Sequence, residues 1–319
     1  MKLLPLLPAA LLAALLLPAR AAGQATVVED PLPAGVTLRR DLPYDDGPLR
    51  MLDLYLPTGR LTAPRPVILC LHGGGWHGGD KADERERALR FVAQGYVAAC
   101  ANYRLSPDCG FPGQIEDIKS AVRWLRSNGT RLGLDPEHIG VIGPDAGGHL
   151  AVLLGAMNSC LLYESGGSLD QPSHVAAVCA LSAPSDLAKL YASAQAAGTT
   201  TAADIIMLLG GPPTQVPVPT NASNPLLFAD GQTPPVLLIH GDQDPLVPVE
   251  QARLLYDGLV AKHLGVHLHV IHGAGHAGAA FEAPDIYALE DAYFAKTLRP
   301  QGPPPNAPDA TLSESTAKP

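Results

Sequence analysis

Basic side chains are scarce in this chain. It holds 22 Lys and Arg against 31 Asp and Glu, a formal net charge of −9. Nucleic acid and anionic membranes select basic patches, so neither is expected as a partner. Cysteine is sparse and odd in number: Cys70, Cys100, Cys109, Cys160 and Cys179. Their spacings fit no zinc motif. Beyond the first residues, no apolar run approaches the roughly 20 residues of a membrane-spanning helix. No internal repeat is present, which sets repeat architectures aside. Finally, the chain contains no Gly-x-Ser-x-Gly.

What remains suits one globular domain. The chain has 319 residues, 46% of them hydrophobic and 17% charged. Lys2 followed by the apolar stretch Leu3–Leu17 and the small residues Ala19, Ala21, Ala22 and Ala25 reads as a cleaved signal peptide over 1–25. The expected location is therefore secreted or periplasmic, with no stable membrane anchor. The domain is expected over 26–299. Residues 300–319 are rich in Pro, Ser and Ala and read as a disordered tail. Cys70, Cys100 and Cys179 sit in apolar runs and read as core. Cys109 and Cys160 lie in loops and are the expected disulfide pair of an exported protein. Asn128-Gly129-Thr130 and Asn221-Ala222-Ser223 match the glycosylation acceptor, which matters only in a host that glycosylates.

Apolar strand-like runs alternate with amphipathic stretches, the pattern of a mostly parallel sheet flanked by helices. Leu52–Leu56 alternates with period two, as an early edge-side strand does. Further strands are expected at 67–71, 96–103, 139–143, 175–181, 236–240 and 266–271. Helices are expected over 111–128, where Ile115, Ile118, Val122 and Leu125 share a face, over 149–157 and over 284–298. Residues 187–231 break the pattern and read as a small lid-like insertion.

Two motifs carry the chemistry. His72-Gly73-Gly74-Gly75-Trp76 directly follows the apolar run Val67–Leu71, the setting of a lipase or esterase oxyanion loop. Gly143-Pro144-Asp145-Ala146-Gly147 lies between a strand and a helix, the frame of a nucleophile elbow. Together they predict an α/β-hydrolase fold. Chain order in that fold is nucleophile, acid, histidine. Asp242 and Asp244 both follow the strand at 236–240, and His276 follows the strand at 266–271 in a Gly-rich turn. Loops at the carboxyl ends of strands are where such sheets place chemistry. His149, His263, His267, His269 and His272 read as structural or solvent-facing.

From about residue 45 to 298 the chain resembles the α/β-hydrolase esterases of the BD-FAE-like branch, which includes acetylxylan and feruloyl esterases. Leu52-Asp53-Leu54-Tyr55-Leu56-Pro57, His72–Trp76, Asn102–Ser106, Phe111–Asp117, Ala121–Leu125, Ala146–Leu150 and His240–Pro248 carry the resemblance. It implies Asp244 as the acid that orients His276, and the N–H groups of Gly74, Gly75 and Ala146 as the oxyanion hole. It implies no metal or organic cofactor. The substrate it implies is a small-molecule or carbohydrate-linked ester, with small acyl or aryl groups.

The departure from the pattern is Asp145 in place of serine. A carboxylate is a poor nucleophile toward an acyl carbonyl, since attack gives an anhydride. Its charge competes for the space of the developing oxyanion and favours imidazolium on His276, which cannot act as a base. Ester turnover is therefore expected to be weak or lost. The elbow's positive φ suits Asp, and its carboxylate can cap the following helix. Two alternatives stand beside the impaired esterase. One is a pocket that binds without turnover. The other is an epoxide or haloalkane hydrolase with Asp145 as nucleophile, although Ala146 and the esterase-type loop do not match those families.

Overall fold

The structure, a computed structural model, describes residues 31–59 and 63–299. The expected signal peptide and tail lie outside the described residues. Strands β1 (Val36–Pro43), β2 (Met51–Pro57), β3 (Arg65–Leu71), β4 (Val97–Ala101), β5 (Leu134–Pro144), β6 (Ala177–Leu181), β7 (Val236–Gly241) and β8 (Val266–Ile271) form one sheet in the order β1-β2-β4-β3-β5-β6-β7-β8. β1 and β2 pair antiparallel, as do β2 and β4, and every later pairing is parallel. This is the predicted α/β-hydrolase architecture. β2 lies one place in from the edge, which β1 covers, and Leu52 through Leu56 are all buried.

The alternation of strand side chains makes two cores. Val67, Leu69, Leu71 and Val141 point to one face, and Ile68, Cys70 and Ile142 to the other. On the first face pack α2 (Gly113–Ser127), α4 (Asp145–Ala156) and α8 (Glu250–Ala261), through residues such as Ile115, Leu150 and Leu255. α1 (Arg85–Ala93) and α9 (Pro284–Leu298) cover the second, through Phe91 and Phe294. A single turn, α3 (Gly129–Leu132), precedes β5. Every residue of α4 after Asp145 is buried. A helix enclosed on all sides has no polar stripe to show, and after Asp145 its run is apolar except for His149.

Residues 187–231 are mostly helical: α5 (Leu187–Ala197), α6 (Thr201–Leu209) and α7 (Pro217–Ala222), followed by a short 3-10 turn at Pro225–Leu227. All five cysteines are free thiols, so the expected Cys109–Cys160 bond is not formed. The two are held by different side chains of α2. The carbonyl of Cys109 accepts from Gln114 and that of Cys160 from Lys119.

Candidate active site

Four strand ends converge on the site. β5 runs directly into α4, whose first residue, Asp145, has φ +50°. Few side chains hold that angle as readily as Asp. The turn can be this sharp because Gly147 has no Cβ. A Cβ there would lie 2.3 Å from the Leu71 carbonyl oxygen and 2.6 Å from that of His72.

The Asp145 carboxylate does not cap its own helix, contrary to expectation. Its Oδ2 instead accepts the N–H of Gly74 at 3.0 Å and of Gly75 at 2.9 Å. The loop after β3 presents both amides, with φ +100° at Gly74 and +57° at Gly75. Two fixed amides converging on one oxygen stabilise negative charge without reorganisation. In this chain they already hold a charged oxygen of the protein itself. Ala146 follows, buried in the first turn of α4.

His276 lies after β8, and its Nδ1 is 2.7 Å from Asp244 Oδ2. Its Nε2 is 3.8 Å from Asp145 Oδ1, too far for a hydrogen bond. The loop after β7 fixes Asp244: its Oδ1 accepts the N–H groups of Leu246 and Val247, both at 2.9 Å. His240 Nε2 donates to the Val247 carbonyl at 2.7 Å and lies 3.4 Å from Asp244 Oδ2. Burial disfavours the Asp244 anion, yet the hydrogen bonds from His240, His276 and Val247 prevail and hold its carboxyl well below the usual range. Asp242 points elsewhere. It meets His272 Nδ1 at 2.9 Å and the Gly273 N–H at 2.7 Å.

Burial alone would lower the His276 pKa. The hydrogen bond to Asp244 and the charges of Asp145 and Asp244 outweigh it and raise it. The stabilisation this brings is complete below the unfolded value of about 6.5 and fades as pH climbs through the folded pKa. NMR titration is therefore expected to find His276 above about 6.5, with Asp145→Asn moving it down. A native value at or below the ordinary imidazole value would show that Asp145 does not act on this ring.

A cavity of about 480 Å³ opens over Asp145 and His276. Pro184, Leu246 and Val247 give it apolar walls, and Thr200, Thr201 and Asp204 reach it from the insertion. Asp204 Oδ1 lies 3.1 Å from His77 Nε2. Sequence reasoning did not single out these insertion residues or His77. Asp204 is one of two acids between residues 187 and 231, and His77 directly follows the Gly-rich loop. Behind the elbow, Trp76 Nε1 donates to His149 Nδ1 at 3.2 Å, and His149 Nε2 donates to the Ser223 carbonyl at 2.8 Å. This buried chain joins the oxyanion loop, α4 and the insertion.

The BD-FAE family model matches residues 52–259. The chain belongs to the BD-FAE family. It is thus an α/β-hydrolase of carboxylic ester hydrolase lineage. It is 31% identical to the Mycobacterium tuberculosis protein "Esterase LipC" over 245 residues, 75% of this chain and 59% of that protein. It is 29% identical to "Esterase LipQ" of the same organism over 67% of this chain and 50% of the relative. The chain thus spans only half to three fifths of the length of these curated relatives. A truncated carbohydrate esterase from gut microbiota superposes with TM-score 0.73 at 26% identity, covering 82% of this BD-FAE chain and 96% of its own. Esterase B from Lactobacillus rhamnosis, in an inhibited form, superposes with TM-score 0.72 at 26% identity, covering 86% and 90%.

Proposed function

We propose that this chain is an ester-binding α/β-hydrolase whose acyl-transfer chemistry is blocked by Asp145. One observation carries the reading: Asp145 Oδ2 occupies the two amides, Gly74 and Gly75, that an ester oxyanion would need. An acyl carbonyl must displace a charged oxygen to reach them. Attack by Asp145 would give an anhydride, and a His276 biased toward imidazolium is a poor base. His276 and Asp244 retain the base and orienter of a triad, with Gly74, Gly75 and Ala146 as its oxyanion hole. The inherited substrate class is small acyl or aryl esters, carbohydrate-linked ones included. The cavity size suits a small ligand, and one structural neighbour is itself a carbohydrate esterase. The signal peptide expected over 1–25 supports action outside the cytoplasm. Alkyl-enzyme chemistry at Asp145 is disfavoured, because the families that use it set a Trp N–H or Tyr O–H opposite the carboxylate to polarise the leaving group, and this lining contains no Tyr. Trp76 lines the cavity, but its N–H is already bonded to His149.

The test compares p-nitrophenyl acetate hydrolysis by the native chain and by His276→Ala. Both are expected to be slow and equal within about twofold, since a blocked site gives the histidine nothing to activate. A fall of about a hundredfold or more on removing His276 would mean that the native site turns over and the blockade is wrong.

A further inference from the structure

Among the described residues, the cavity lining contains no Lys or Arg. Its two acids come from different elements, Asp145 from the elbow and Asp204 from α6. His77 engages only one oxygen of Asp204. The other, Oδ2, faces the oxyanion loop and would lie 3.2 Å from a Cβ placed on Gly75, whose N–H meets Asp145. The Asp204 side chain is only 17% exposed, so water screens it poorly. Burial raises its pKa and the nearby Asp145 charge adds to the rise, against the pull of His77. Thr200 and Thr201, which flank it, bring no charge. A ligand substituent entering beside Gly75 therefore meets a negative field that no Lys or Arg offsets, and His276, when protonated, is already faced by Asp145 and Asp244.

We infer that Asp204 sets the charge preference of this pocket, favouring esters that bear an ammonium group and disfavouring esters that bear a carboxylate. This rests on the ester-site reading and adds the class of ester. A unit charge about 6 Å away at an effective dielectric of about 20 changes affinity by more than tenfold before solvent screening, so about tenfold is the expected size.

Acetylcholine, its carbon isostere 3,3-dimethylbutyl acetate, and 3-acetoxypropanoate are acetate esters that differ mainly in charge. Their kcat/KM values are to be measured with Asp145→Ser protein at about pH 8.5, well above the ordinary imidazole range. The expected order is cation over neutral over anion, about tenfold at each step. Adding Asp204→Asn, which keeps the side-chain shape, is expected to compress the whole spread to within about threefold. Each ratio is taken within one protein, so any loss of folded fraction cancels. Equal values for the three esters, or a spread that survives Asp204→Asn, overturns the inference. If Asp145→Ser turns over none of them, the ester-site reading falls separately. Calorimetric Kd values for the same probes on the same two proteins then give the charge order, with the same outcomes deciding it.

Discussion

Asp145→Ser is expected to raise p-nitrophenyl acetate hydrolysis at least about a hundredfold, a modest share of what intact triads provide. The substitution does two things at once. It removes the oxygen that sits 3.0 Å and 2.9 Å from the Gly74 and Gly75 amides, and so frees them for an acyl oxygen. It also replaces an anion near His276 with a hydroxyl that a neutral imidazole can deprotonate. His276 stays oriented by Asp244, whose partners lie on the loop after β7 and do not involve residue 145. The His276 pKa should fall in the same variant, and because the native rate does not depend on this ring, the gain should rise with pH through the variant's His276 pKa and then level off. Equal rates for the native protein and the Asp145→Ser variant would mean that something other than the carboxylate disables the site.

Gly147→Ala is expected to lower stability by about 3 kcal/mol or more. For a domain of this size that is a fall of roughly 6–12 °C in Tm. The added methyl would meet the Leu71 and His72 carbonyl oxygens at 2.3 Å and 2.6 Å. Both are backbone atoms at the end of β3, and no rotamer change can move them aside. Gly275→Ala is the control. It lies in the loop that carries His276, but an added Cβ has nothing within 4 Å, and the change should stay within about 1 kcal/mol. Thermal denaturation measures both. If Gly147→Ala melts with the control, the close approach of α4 to β3 is not what holds the elbow.

The parts legible in the sequence were those with strong local patterns. The pattern marks β8 and α9 at their observed bounds, Val266–Ile271 and Pro284–Leu298. β1 leaves no signal in the sequence, because all of its residues are exposed or half-exposed and its pairing depends on β2. α1 was also missed. Its sequence, Arg85-Glu86-Arg87-Ala88-Leu89-Arg90, looks like a solvated run, yet Arg87 and Arg90 pair with the buried Glu290 on α9, about 200 residues away. In the insertion, the apolar piece 205–209 was visible. The turn of α6 that aims Asp204 at Gly75 was not, because it depends on how the helix seats on the site. The sequence did indicate that a carboxylate at 145 would compete for the oxyanion space. It also implied helix capping, and here the loop amides of Gly74 and Gly75 won over the first amides of α4.

The chain from Trp76 through His149 to Ser223 sets a boundary for any redesign of this protein. His149 must accept at Nδ1 and donate at Nε2, and only the neutral ring does both. Burial, partly offset by the Ser223 bond and the Asp145 charge, lowers its pKa to about 4. The unfolded chain takes up this proton near about pH 6.5, so stability is greatest above that pH and drains away as pH falls toward the folded value. The full loss is on the order of 3 kcal/mol. Removing Asp145 takes away one of the influences that raise this pKa, so a rearmed enzyme would carry the penalty at least as strongly. In acid, activity would fade first as His276 takes up its proton, and the fold itself would then be eroded from behind the elbow, by a residue that never touches substrate.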